Sequence, residues 1–305
     1  MKRLIHSILL ALCATCLIQA QSYVFATYNV RNANREDSIA GNGWGQRYPY
    51  IAMQIQFNGF DVFGTQEAKH HQLEDLKKAM PGYDYIGIGR DDGKQAGEYS
   101  AIFYRTDKFD LMEHGDFWLS TETEYPNKGW DAALPRICTW GKFRDKQNGF
   151  TFLFYNLHMD HVGVQARSES AKLVLKKMQE LPQQVPVILT GDFNVDQNNE
   201  SYKLLDNSGI MRDAYQTAEF RYAPNGTFNA FHTDRKTESR IDHLFLTEEF
   251  AVKKYGILTD TYRSESSEGA TAEQNGNFPK EVTMTKYTAR TPSDHFPVMI
   301  VVEVK

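Results

Sequence analysis

Eight polar side chains fall at or beside the ends of β-rich runs: Asn29, Glu67, His158, Asp192, Asn194, Asp242, Asp294 and His295. Carboxylates and amide oxygens are hard donors, suited to Mg²⁺ or Mn²⁺. No thiolate accompanies them, which argues against zinc. The two histidines can supply the proton transfer or hydrogen bonding that cleavage of a phosphoester needs. Singly, each residue has a plainer role. Asn29 and Asn194 suit turn starts, and Asp242 could bond backbone in a turn. Glu67 suits a helix start, where the dipole favours an acid. A lone histidine is commonly structural. The combination carries the chemistry, provided the strand ends share one rim.

The elements that must do this are mostly strands. Alternating or wholly apolar runs predict strands over 23–28, 61–66, 100–104, 137–143, 150–157, 185–190, 241–246 and 296–304. A helical stripe of Ala166, Leu173, Val174, Met178 and Leu181 predicts a helix over 165–181, with shorter helices over 69–80 and 200–205. Segment 150–190 therefore reads as strand–helix–strand. Three polar segments, 31–49, 121–135 and 263–280, read as long loops, functional or disordered, and the third as a mobile insertion. Gly43-Trp44-Gly45 and Phe117-Trp118-Leu119-Ser120 read as aromatic loops fit for a substrate lip or a partner surface.

Residues 1–20 stand apart. Met1-Lys2-Arg3 precedes a mostly apolar run from Leu4 to Ile18, and Ala20 offers a small residue for cleavage. That pattern predicts a signal peptide, and hence a secreted or periplasmic protein with the working domain over 21–305. The run is shorter than the roughly 20 residues that span a bilayer, so no membrane span is expected. Removing Lys2 and Arg3 takes the formal charge from −5 to −7. That charge excludes a broad basic face for gripping nucleic acid. Cys138 is left as the single cysteine of that domain, so no internal disulfide is available. No stable protein partner is implied, and a monomer is expected.

Six stretches then stand out: Tyr28-Asn29-Val30, Gly64-Thr65-Gln66-Glu67, Asn156-Leu157-His158, Gly191-Asp192-Phe193-Asn194, Arg240-Ile241-Asp242-His243 and Ser293-Asp294-His295-Phe296-Pro297. In type and order they resemble the endonuclease/exonuclease/phosphatase superfamily over nearly the whole chain. The resemblance implies an α/β fold: a four-layered sandwich of two packed, mostly antiparallel sheets flanked by helices. It implies hydrolysis of phosphoesters with Mg²⁺, or Mn²⁺, as cofactor. It places Glu67, Asn29 and Asp294 around the metal and Asp192 and Asn194 on the attacking water. His295, oriented by Asp242, serves as acid/base or binds the phosphate, and His158 is a second histidine on the phosphate. Arg136, in Leu134-Pro135-Arg136, matches an arginine of nocturnin-like relatives and is expected to bind substrate phosphate; a surface ion pair is the plainer alternative.

Substrates of such enzymes include nucleic acids and small or lipid phosphates, and the sequence leaves that choice open. Two rival readings follow from particular residues. Cys138 to Arg144 fits the C-x₅-R spacing of cysteine phosphatases, but Cys138 sits in an alternating strand pattern and reads as buried structure. A non-catalytic binding protein on the same fold is the other, and the intact motifs speak against it.

Overall fold

The computed structural model describes residues 21–181, 185–265, 272–273 and 279–305. The expected signal peptide lies outside them. The chain starts with β1 (Ser22–Asn29), α1 (Arg35–Ile39), α2 (Trp44–Phe57), β2 (Val62–Gln66), α3 (His70–Ala79), β3 (Tyr83–Ile86) and β4 (Ile102–Arg105). There follow β5 (Phe109–Trp118), β6 (Ile137–Asp145), β7 (Thr151–His158), α4 (Val164–Gln179), β8 (Val187–Asp192), α5 (Glu200–Asp206), β9 (Arg212–Asp213) and α6 (Ala214–Thr217). The last part holds β10 (Phe220–Tyr222), β11 (Asp242–Leu246), β12 (Phe250–Ile257), β13 (Tyr262–Ser264), β14 (Ala272–Glu273), β15 (Met284–Thr285), β16 (Thr288–Arg290) and β17 (Val298–Val304).

Two large sheets form, in the orders β10-β12-β17-β1-β2-β4-β3 and β5-β6-β7-β8-β11-β9. Only β1–β2, β7–β8 and β10–β12 pair in parallel within them. Period-two alternation explains the layering. Phe25 of β1 and Phe152 and Phe154 of β7 point into the core between the sheets, with Val298, Ile300 and Val302 of β17. Their neighbours point outward. Ala26 and Tyr28 meet Ile51 and Ile55 of α2 and Leu73 and Leu76 of α3. Leu153, Tyr155 and Leu157 meet Ala171 and Val174 of α4 and Tyr202 and Leu205 of α5. Four layers result, helices–sheet–sheet–helices, as the resemblance implies.

Some sequence expectations are corrected. Segment 31–49 is not a long loop, because it holds α1 and the first turns of α2. A buried stripe at Trp44, Arg47, Ile51 and Ile55 anchors α2; an arginine in that stripe hides it from a hydrophobicity count. Nor do the two aromatic stretches form lips. Trp44 is buried and its Nε1 donates to Asp75. Phe117, Trp118, Leu119 and Ser120 are buried too, with Trp118 Nε1 donating to the carbonyl of Arg90. Residues 263–280 lie partly outside the described residues, and those described contribute to β13 and β14. β3, β5 and β12 are strands that the sequence reading did not separate. Cys138 is buried in β6, hydrogen-bonded on both sides within the sheet, so no phosphate loop surrounds it.

Candidate active site

Strand register brings the motifs to one edge. Asn29 ends β1 beside Gln66 of β2, and Glu67 follows at once. His158, Asp192 and Asp242 lie side by side at the ends of β7, β8 and β11. Asp294 and His295 directly precede β17, the antiparallel partner of β1. Beneath them, Asn156 ties the two sheets. Its amide donates to the carbonyls of Thr65 and Ala101 and accepts from Gln66 and Thr190. Gly64 is needed here for close approach: a Cβ would collide with that amide.

The edge opens into a cleft of about 590 Å³ that Glu67, Arg136, His158, Asp192, Asn194, Asp294 and His295 help to line. Asp242 is fully behind it. His295 Nδ1 donates to Asp242 Oδ2 at 2.9 Å. Burial opposes the charged imidazole, but Asp242, Asp192 and Asp294 hold it well above the usual histidine range. Asp192 is pushed up to about 7, by burial first and then by the charge of Asp242. Its Oδ1 accepts the Asn194 N–H at 2.9 Å, and its Oδ2 accepts Asn29 Nδ2 at 3.0 Å. His158 behaves oppositely. Burial, then Arg136 and Arg90, push it well below the ordinary value. Its neutral Nε2 accepts from Asn194 Nδ2 at 3.1 Å.

Glu67 is held by three hydrogen bonds from two neighbours. Asn29 Nδ2 donates to Oε1 at 3.1 Å, and Asn32 donates its N–H and Nδ2 to Oε2 at 3.2 and 2.9 Å. Burial works against its charge, but His295, Arg31 and these bonds bring its carboxyl below the usual range. Its φ is +66°, in the left-handed region that a residue other than glycine adopts at a cost. Asp294 is raised, mainly by burial and also by Glu67. One cation serves both: Arg31 lies 3.7 Å from Glu67 and 3.6 Å from Asp294.

Two groupings could hold a hard cation. Glu67 and Asp294 line the same cleft, and the charge of Glu67 raises the Asp294 carboxyl, a repulsion that a divalent ion would relieve. Asp192, Asp242 and His295 offer ligand atoms within 4.8 Å of one another. In the second group Nδ1 of His295 is committed to Asp242 while Asp242 Oδ1 has no hydrogen-bond partner; in the first, both Glu67 oxygens already accept hydrogen bonds. Asn29 differs from expectation in detail. Its Oδ1 accepts the Arg31 N–H, and its Nδ2 clamps Glu67 and Asp192. Arg136 is buried rather than forming a surface pair: Nε donates to Asp160 at 3.1 Å and Nη2 meets His161 at 2.9 Å.

Several residues of the site escaped the sequence reading. Arg31 and Asn32 lie two and three residues after Asn29, and that proximity was the available signal. Glu98 accepts from Asn32 and pairs with Arg90 at 2.7 Å. Thr227 Oγ1 accepts the N–H of Asp242, and the Phe228 ring meets His295 edge-on at 5.0 Å. Nothing local in the sequence sets these last four apart, because long-range packing alone brings them here.

Comparison with known proteins decides the family. The model of the endonuclease/exonuclease/phosphatase family matches residues 26–295. The chain belongs to this family. It is similar to a family protein from Bacteroides thetaiotaomicron, with 56% identity, a TM-score of 0.87, and 94% of this chain and 99% of that one covered. A mannosyl-6-phosphatase from the same organism is 57% identical, with a TM-score of 0.85 over 92% and 99% of the two chains. The human nocturnin catalytic domain shares the fold at 16% identity and a TM-score of 0.66, over 94% and 97%. As a member of this family the chain is a hydrolase acting on phosphoesters. Among the described residues, no helix is long and apolar enough to cross a membrane.

Proposed function

We propose that the protein is an exported, divalent-metal-dependent phosphomonoesterase acting on hexose 6-phosphate esters. The observation that carries the substrate class is the likeness to a mannosyl-6-phosphatase at 57% identity across 92% of the chain. The cleft supports it, because about 590 Å³ suits a small molecule. The acidic net charge does not favour tracking along a polyanion.

Glu67 and Asp294, with Asn29 bracing them, hold Mg²⁺ or Mn²⁺ in this reading. Such an ion, when bound, neutralises phosphate oxygen charge and favours ionised water. Asp192 accepts a proton from the attacking water, and Asn194 fixes the orientation of Asp192 and His158. His295, kept charged by Asp242, donates a hydrogen bond or a proton to the oxygen that leaves. His158 and Arg136 face the phosphate from the other wall. Export follows from residues 1–20, and the working domain is 21–305. N-terminal sequencing of protein from its native host should find a start near Gln21; retained Met1 counts against export.

Phosphate release tests the activity. Mannose 6-phosphate, a mannose 6-phosphate glycoside, bis-p-nitrophenyl phosphate and oligoadenylate should be compared with Mg²⁺, with Mn²⁺ and with EDTA. Fast release from the sugar phosphates, abolished by EDTA, is expected. Faster cleavage of oligoadenylate would replace this reading with a nuclease.

A further inference from the structure

Arg47 is a fully buried cation in the first turn of α2. Both features are costly. A cation near a helix N-terminus opposes the dipole, and a buried charge ordinarily needs an ionic partner. Among the described residues Arg47 makes no salt bridge. All its hydrogen bonds go to main-chain carbonyls: Nε to Asn42 at 2.7 Å, Nη1 to Val30 at 2.9 Å and to Pro292 at 2.8 Å, and Nη2 to Arg31 at 3.2 Å. The guanidinium also lies 5.4 Å from the ring centroids of Trp44 and of Phe231, a residue of the cleft wall.

Asn42 lies just before α2 itself, and the other three carbonyls belong to two segments. Val30 and Arg31 directly follow Asn29, and Pro292 lies two residues before Asp294. The fork of donors therefore joins the two backbones that present Asn29 and Asp294. A planar guanidinium fixes such a spacing, whereas a single ammonium cannot reach four acceptors in these directions.

We propose that Arg47 is a positioning residue for the cation-binding half of the cleft. It sets the distance between the Asn29 and Asp294 segments. The inference rests on the hydrolase reading of the cleft but not on sugar phosphates as substrate. Kinetics can be run on whichever phosphoester the wild type turns over, so a wrong substrate class and a wrong role for Arg47 give different results.

Arg47→Lys should be compared with Leu73→Ala, a core truncation in α3 that lowers Tm without touching the cleft. Arg47→Lys is expected to lower kcat on the order of 30-fold or more with KM within about threefold, since misplaced groups cost rate more than binding. The rise in Tm that saturating Mn²⁺ gives the wild type should shrink by half or more in Arg47→Lys and persist in Leu73→Ala. Arg47→Gln, which keeps two amide donors, carries the same test where the lysine variant does not fold. Activity and Mn²⁺ response that fall no further than in Leu73→Ala at equal loss of Tm would make Arg47 merely structural and overturn the proposal.

Discussion

The two halves of the cleft solve different electrostatic problems. In one half, Glu67 and Asp294 come from the sheet that contains β1, and their charges are shared by Arg31 and braced by amides of Asn29 and Asn32. In the other, Asp192, Asp242 and His158 come from the second sheet, and His295 reaches across to Asp242. The first half gathers its negative charge around Arg31, and the second gives protons defined places. The difference teaches that one rim can hold four buried carboxylates without mutual expulsion. Glu67 and Asp294 share Arg31, and Asp192 and Asp242 share His295.

Removing the proton-handling group should have the largest effect. His295→Ala is expected to cost roughly 10²- to 10⁴-fold in kcat, the span for a lost acid/base group. Asp242→Asn should cost less, because the histidine remains and only its charge and orientation suffer. The double variant should be little worse than His295→Ala alone. Losses that multiply would show the two to be independent and break the second half as a unit.

Glu67→Gln should follow, at on the order of 10²-fold, with the metal concentration for half-maximal rate raised. The fold should survive, because glutamine retains an acceptor for Asn32. Combined with His295→Ala, its loss should fall short of the product of the single losses, since the charge of His295 lowers the Glu67 carboxyl and both side chains meet Asn29. An unchanged rate at both limiting and saturating Mg²⁺ would remove Glu67 from the cation site.

Asn156→Ala tests the joint between the halves. It strips partners from the buried carbonyls of Thr65 and Ala101 and from the Gln66 amide. The Ala101 carbonyl keeps the Thr65 N–H and the Gln66 amide keeps Thr27 Oγ1; at about 0.5–1.5 kcal/mol for each hydrogen bond lost, a loss on the order of 2 kcal/mol is expected in urea unfolding. A shift within 0.5 kcal/mol, the ordinary range of about ±0.5 for surface changes, would mean the sheets are held elsewhere.

What the sequence made legible follows from what each residue needs. Strands buried on both faces, such as β7 and β8, announce themselves by continuous apolar runs. Gly191-Asp192-Phe193-Asn194 is legible because its elements of chemistry are consecutive, and Gly191 is required since a Cβ would strike the carbonyl of Leu157. α2 was not legible: its stripe contains Arg47, and Gly45 and Pro49 read as loop residues. β5 is an edge strand whose Glu113, His114 and Gly115 interrupt the apolar pattern. Arg90, Glu98 and Thr227 serve the site from loops, through contacts that no local pattern encodes. The buried fate of Trp118 was hidden for a like reason, because its partner, the carbonyl of Arg90, is 28 residues away.

The smallest effect separates the two histidines by pH. Burial and the charges of Arg136 and Arg90 keep His158 well below its ordinary value. The folded protein thus holds it neutral, while the unfolded chain binds a proton near the ordinary value of about 6.5. As pH falls below about 6.5 the unfolded state gains a proton that the folded state refuses, and stability drops, by at most ~1.4 kcal/mol per pH unit for one group. His295 has the opposite sign. Its folded value is raised by Asp242 despite burial, so its stabilisation is fully present below about 6.5 and is lost as pH rises through the folded value. Urea unfolding in EDTA between pH 5 and 8 should therefore show a shallower acid-side loss for His158→Gln than for wild type. His295→Gln should follow the wild-type slope below about pH 6.5, and between about 6.5 and 8 it should lack the loss of stability with rising pH that the raised histidine gives the wild type. Parallel curves for wild type and His158→Gln would mean that His158 takes up its proton in the fold, and the contrast between a neutral and a charged histidine in one cleft would fail.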